Sequence, residues 1–161
     1  KSKQAICTIA FSLDNEHLCA AQTDHKLSLY GIRGAIKTLH SFSAHKDLIT
    51  SAKFCFSMRQ VITSSLDCTV KFWDLNSGEI NRSINTYSKA YDMHVSRSET
   101  QIVTGHNDMS IKMWNSKTRD AICKFEDAHI DPVSCVRFTH DENFVVSTSK
   151  DDTLKVWDLR K

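Results

Sequence analysis

A fourteen-residue pattern that occurs four times constrains this chain more than any other feature of its sequence. Residues 61–74 read VITSSLDCTVKFWD. The small and β-branched run Val61 to Ser65 predicts a strand, Leu66-Asp67-Cys68 a tight turn, and Thr69 to Trp73 a second strand. VVSTSKDDTLKVWD (Val145 to Asp158), IVTGHNDMSIKMWN (Ile102 to Asn115) and LCAAQTDHKLSLYG (Leu18 to Gly31) repeat that character. In each copy a turn aspartate stands six residues before an aromatic: Asp24/Tyr30, Asp67/Trp73, Asp108/Trp114 and Asp151/Trp157. Successive aspartates are 43, 41 and 43 residues apart. A unit recurring at that period buries its apolar faces by stacking on its neighbours. No helical period persists, so the chain is expected to be all-β.

The first three copies each extend into a four-strand unit, and the last into three strands. The inner strands Ala5 to Phe11, Thr50 to Phe54, Ala90 to Val95 and Pro132 to Phe138 read as nearly continuous apolar runs, as in a sheet covered on both faces. Outer strands are expected over Ile36 to Phe42, Glu79 to Ile84 and Ala121 to Phe125. Four-stranded sheets repeated radially form a β-propeller. The predicted blades run approximately over 1–42, 43–85, 86–126 and 127–161, the last lacking its outer strand. A period of about 40–45 residues closing on W-D resembles the WD-repeat family. The resemblance implies a seven-bladed ring, for which 161 residues are about half. Lys1 in place of an initiating Met likewise predicts an excerpt, with the remaining blades in the full-length chain.

Composition removes several function classes. A net charge of +2 gives no reason to expect a polyanion partner, and Lys1 and Lys3 are too few for a nucleic-acid arm. No apolar run approaches the roughly 18–20 residues of a membrane span, so direct membrane insertion is not expected. The six cysteines are scattered without a C-x-x-C pair and read as structural thiols of a cytoplasmic protein, despite one glycosylation sequon at Asn81. The eight histidines lack metal-ligand spacing, with His25, His94, His106 and His140 isolated, and there is no Gly-rich phosphate loop. No cofactor is predicted.

One constellation imitates catalytic chemistry. His45, Thr63, Asp67 and Trp73 recur at the same spacing as His129, Ser147, Asp151 and Trp157. A hydrolase triad needs one set and an exposed nucleophile, whereas here the set occurs twice and its hydroxyl lies within a strand. The structural reading is a hydrogen-bond chain from turn Asp through loop His and strand hydroxyl to the indole N–H. It resembles the polar tetrad of WD-repeat proteins. The third unit keeps Thr104, Asp108 and Trp114 with Thr86 in place of His, and the first keeps only Asp24; both are expected to be held more loosely.

Within the WD-repeat family, ITSAKF (Ile49 to Phe54), IVTGHND (Ile102 to Asp108), the His-less third unit and KDDTLKVWDLR (Lys150 to Arg160) are similar to the C-terminal propeller of the autophagy-related protein sixteen family. That resemblance implies a non-catalytic platform binding proteins or short peptide motifs, reaching membranes through partners, in the complex that conjugates a ubiquitin-like protein to lipid. It also implies a binding face bearing Leu48, Thr50 and Leu66; Lys89, Tyr91 and Asn107; Pro132, Ser134 and Lys150; and, at the matching positions of the first unit, Ala5, Cys7 and Thr23. A different class, the substrate receptor of a cullin ubiquitin ligase, draws on Trp157-Asp158-Leu159-Arg160, which matches a W-D-x-R docking pattern.

Overall fold

The computed structural model describes residues 4–55, 57 and 60–160, and all their regular secondary structure is β. Lys1 and Lys3 lie outside the described residues. Four antiparallel sheets follow one another along the chain. The first comprises β1 (Ile6–Phe11), β2 (His17–Gln22), β3 (Lys26–Gly31) and β4 (Lys37–Ser43). The second comprises β5 (Ile49–Phe54), β6 (Gln60–Ser65), β7 (Thr69–Asp74) and β8 (Ile80–Asn85). The third holds β9 (Ala90–Val95), β10 (Gln101–His106), β11 (Ile111–Asn115) and β12 (Ala121–Phe125). The last holds β13 (Val133–Phe138), β14 (Phe144–Ser149) and β15 (Leu154–Asp158). In every sheet the strands lie side by side in chain order. Successive strands therefore need only tight turns between them.

Burial follows from position in the sheet. β6 and β10 are buried along both faces, which is why Val61-Ile62 and Ile102-Val103 interrupt strict alternation. The outer strands β4, β8 and β12 keep one face in solvent and alternate.

The chain divides into two compact units, residues 1–85 and 86–161. In the first, β5 packs on β1 and β2. Cys19, Ala21, Leu27 and Leu29 form one core with Ile49, Ala52, Val61 and Trp73, and the Trp73 ring lies 4.7 Å from that of Phe42. In the second, β13 packs on β9 and β10. Val103, Ile111 and Met113 share a core with Val133, Val136 and Phe138, and Trp157 lies 5.0 Å from Phe125. Gly105 permits this approach, since a Cβ there would stand 2.7 Å from Val133. Polar bonds also cross that joint: Asp92 accepts from the Val136 N–H and the Arg137 guanidinium, and His94 Nδ1 accepts from the Phe138 N–H.

The turns use few glycines. The residue after each turn aspartate is left-handed without being glycine: His25, Cys68, Met109 and Asp152, with φ of 66°, 63°, 64° and 60°. At the turn into the outer strand, Gly34 and Gly78 adopt φ of 75° and 70°, whereas the third sheet uses Arg119 at 72°. A side chain costs on the order of 1 kcal/mol in that region.

This difference yields a paired prediction. Arg119 is exposed, so Arg119→Gly should raise stability by roughly 0.5–1 kcal/mol. Gly78→Ala should lower it, because the new Cβ would sit 2.8 Å from the His40 ring. Denaturant unfolding of both variants checks the signs; the same sign at both sites would refute the argument.

Candidate functional site

The four turn aspartates sit at one end of their sheets, and their surroundings differ. Asp67 Oδ1 accepts from the Thr69 N–H at 3.0 Å and the Thr69 hydroxyl at 2.6 Å, fixing its own turn around left-handed Cys68. Oδ2 accepts from the Lys46 N–H at 3.0 Å and from His45 Nδ1 at 2.9 Å. With Nδ1 donating, the neutral ring accepts the Thr63 hydroxyl proton at Nε2 (2.8 Å), and Thr63 Oγ1 accepts from the Trp73 indole (2.9 Å). His45 and Thr63 are buried.

The last sheet repeats the chain. His129 Nδ1 meets Asp151 at 2.9 Å and Nε2 meets Ser147 at 2.8 Å, while Trp157 donates to Ser147 at 2.9 Å. A lysine buttresses each loop: Lys71 Nζ donates to the Ala44 carbonyl, and Lys155 Nζ to that of Ala128.

The third sheet satisfies its strand hydroxyl and indole in another way. Thr86 does not replace the missing histidine; its hydroxyl donates to the Ser88 carbonyl. His106, read above as isolated, takes that role from within β10. Its Nε2 lies 2.7 Å from Thr104 Oγ1, which accepts from Trp114 at 2.9 Å, and its Nδ1 lies 2.9 Å from Ser88 Oγ. Lys112, only 6% exposed, donates to the Thr86 carbonyl (2.8 Å) and Ser88 Oγ (2.6 Å), with Asp108 at 3.4 Å. The imidazole thus enters from the strand, and lysine and serine link it to the turn aspartate. A hydroxyl and a histidine two apart on one strand face, Thr104 and His106, were the available signal.

Among the described residues the first sheet has no such network. Ala20 occupies the hydroxyl position, and Asp24 pairs with Lys26 at 2.8 Å while its Oδ1 is buried without a hydrogen-bond partner among the described residues.

Burial and hydrogen bonding set the charges. Burial pushes the Asp67 carboxyl up, but bonds from His45, Thr69 and the Lys46 N–H outweigh it and hold the group well below the usual range. Burial lowers the His45 imidazole more than Asp67 raises it, and it takes His106 down to about 4 with help from Lys112. Both rings are therefore neutral at pH 7. The arrangement offers no exposed nucleophile: Thr63 and Thr104 are fully buried and Ser147 nearly so.

The surface residues are grouped by a backbone irregularity. The register between the first two strands of every sheet shifts at one place, leaving Cys7, Thr50, Tyr91 and Ser134 as the extra residues. Such a bulge turns its side chain away from the regular pleat. In the second unit, half-buried Tyr91 lies beneath the Lys150 ammonium, 5.8 Å from its ring centre. Asn107 accepts from the Lys89 N–H at 3.0 Å, and the exposed Lys89 side chain stands beside them in sequence. The Lys150 N–H donates to the Pro132 carbonyl, and Ser134 shares a hydrogen bond with Thr148. In the first unit Leu48 and Leu66 are half-buried and joined through the Leu66 N–H and Leu48 carbonyl, while Thr50 bonds Ser64. Ala5, Cys7 and Thr23 are exposed.

Three segments, residues 36–74, 78–115 and 121–158, match the family described as WD domain, G-beta repeat. Each begins at the outer strand of one sheet and ends with the third strand of the next. Over 161 residues the chain is 27% identical to Protein tipD of Dictyostelium discoideum, covering 99% of this chain and 26% of that protein. It is 29% identical over 124 residues to nuclear distribution protein nudF of Aspergillus niger, covering 74% of this chain and 28% of the relative. Nuclear distribution protein PAC1 of Trichophyton verrucosum is 31% identical over 130 residues, with the same two shares. The chain spans about a quarter of the length of these relatives.

Two predictions test the networks. Asp67→Ala should destabilise by several kcal/mol, since it leaves His45 and neighbouring donors unsatisfied at roughly 1–3 kcal/mol each. Asp24→Ala should cost much less, and equal losses in denaturant unfolding would refute the assignment. For pH, the unfolded chain binds a proton near 6.5 that folded His106 binds only near 4. Its contribution is complete above pH 6.5 and is lost as pH falls towards 4, on the order of 3 kcal/mol. Stability against pH should therefore fall across that window, and His106→Gln should flatten the fall without abolishing it, because His45 titrates in the same direction. An unchanged slope would exclude a neutral buried imidazole at residue 106.

Proposed function

The chain belongs to the WD-repeat family, and from that premise we propose that it is a non-catalytic scaffold recruiting other proteins through short peptide segments. The observation that carries the reading is the Tyr91–Lys150 pair, an aromatic ring on a bulge capped by an exposed cation, with Lys89 nearby. An apolar anchor flanked by positive charge suits a peptide with a hydrophobic residue and acidic neighbours. Half-buried Leu48 and Leu66 give the first unit a smaller apolar patch of its own.

The finer assignment, recruitment within the autophagy conjugation machinery, is supported by the likeness at Ile49 to Phe54, Ile102 to Asp108 and Lys150 to Arg160. The ubiquitin-ligase reading draws less support. Arg160 already gives two N–H donors to Asp158, at 2.9 and 2.8 Å, and its guanidinium lies over the Phe144 ring. Less of it is left for an acidic adaptor.

A displayed peptide library selected on this chain tests the proposal. Selected sequences should carry one large apolar residue beside Asp or Glu. Tyr91→Ala and the double change Lys89→Glu/Lys150→Glu should each weaken their binding about tenfold or more, with the unfolding midpoint nearly unchanged. Wild-type binding by both variants would place the interface elsewhere. So would losses that only track lost stability. In cells, the same changes in the full-length protein should impair lipid conjugation of the ubiquitin-like protein; normal conjugation would remove the autophagy assignment alone.

A further inference from the structure

Tyr87 is 83% exposed, the highest value among the large apolar and aromatic side chains of the described residues. It follows Thr86 in the loop that enters the third sheet. The same loop position holds Lys46 after His45 and Ile130 after His129, and both are exposed. Facing solvent is thus a property of the loop.

Of these three residues only Tyr87 has a left-handed backbone, with φ of 61°. An aromatic residue seldom adopts that region, which persists only where the surroundings hold it. Here they do. The Thr86 carbonyl accepts from Lys112 Nζ at 2.8 Å, the Thr86 hydroxyl donates to the Ser88 carbonyl at 2.8 Å, and the Lys89 N–H donates to Asn107 at 3.0 Å. Both flanks are pinned while the phenol projects. The other two tyrosines, Tyr30 and Tyr91, are half-buried, and Tyr91 lies beneath Lys150.

Tyr87 also borders a cavity of about 200 Å³ whose other walls are Lys112, Trp114, Ala121, Cys123 and Lys124. Two lysines line it and no carboxylate does. Lys112 is held by the loop itself, whereas Lys124 pairs at 2.8 Å with Glu126, which is 72% exposed. An ion pair so open to water contributes little and is readily exchanged.

We propose that Tyr87 is a phosphorylation site and that Lys124 and Lys112 receive its phosphate. The phenol oxygen attacks the γ-phosphorus of a nucleoside triphosphate held by a tyrosine kinase. The bond to the β-phosphate oxygen breaks, the diphosphate leaves, and the phenol proton passes to the kinase's base. The product carries about −1.5 to −2 charge at pH 7 and three acceptor oxygens. Lys124 then exchanges an exposed carboxylate for the phosphate beside Lys112, which ties the entry loop to β12 through charge-assisted hydrogen bonds. Tyr87 is not among the residues of the peptide site, so the inference stands apart from that reading.

The full-length protein, recovered from its own cells after tyrosine phosphatases are blocked, should carry phosphate on Tyr87 when its peptides are analysed by mass spectrometry. Absence of phosphate there, or equal modification of Tyr30 and Tyr91, would overturn the proposal. The 161-residue chain phosphorylated on Tyr87 tests the receiving lysines. Its phosphorus NMR signal should titrate at lower pH than phosphotyrosine in an isolated peptide of residues 84–90, and its unfolding midpoint should rise by about 3 °C or more. Both effects should disappear in about 1 M salt and in Lys124→Met. An unshifted titration, an unchanged midpoint, or effects that survive salt would each reject the receiving site. Lys124 is exposed, so the variant should fold; if it does not, the salt comparison on the unsubstituted chain decides.

Discussion

A carboxylate has two oxygens, and in the second and last sheets each oxygen does separate work. Oδ1 of Asp67 closes the turn that contains it, through the backbone and hydroxyl of Thr69. Oδ2 reaches across to the loop that enters the sheet, through His45 and the Lys46 N–H. The histidine then carries the connection inward to Thr63 and Trp73, the residue that packs against Phe42 of the neighbouring sheet. Turn, loop, central strand and sheet-to-sheet packing thus hang on one side chain. Because His45, Thr63 and Trp73 are buried and satisfied, loss of the carboxylate leaves polar groups with neither protein nor water as partner.

The third sheet shows that the requirement is for satisfaction rather than for a particular histidine. Thr104 and Trp114 need a partner for the hydroxyl, and an imidazole two residues along the same strand provides it as well as one arriving from the loop. The substitution has its own electrostatic consequence. Lys112 is now drawn to Ser88 and the Thr86 carbonyl, and its charge lies close enough to depress His106 further. Among the described residues the first sheet goes without the network, and there Asp24 pairs with Lys26.

Much of this was legible in the sequence because it depends on spacing. The recurring Asp and aromatic positions specify hairpins, and hairpins joined in chain order specify meandering sheets. The sets His45/Thr63/Asp67/Trp73 and His129/Ser147/Asp151/Trp157 were readable as hydrogen-bond chains because their spacing repeats. His106 was not, since its spacing to Thr104 occurs once and matches no other copy. The left-handed turns were hidden for a different reason: Cys68, Met109 and Arg119 are not residues that announce a positive φ. The bulge at Tyr91 was equally silent, because one extra residue in a strand leaves the apolar pattern nearly intact.

The sequence repeat and the structural sheet are out of phase, and this bears on how such a chain can grow. A segment such as 36–74 delivers an outer strand to the sheet before it and three strands of a sheet that the following segment finishes. Duplicating that segment as a block therefore adds a sheet completed by strands of two copies, never one contained within a single copy. It inserts a tile that overlaps both neighbours, so an acceptable copy must fit two existing hydrogen-bonded edges at once. Lengthening by whole segments preserves the overlap everywhere, whereas a break inside one severs pairing in a single sheet and leaves the adjoining ones intact.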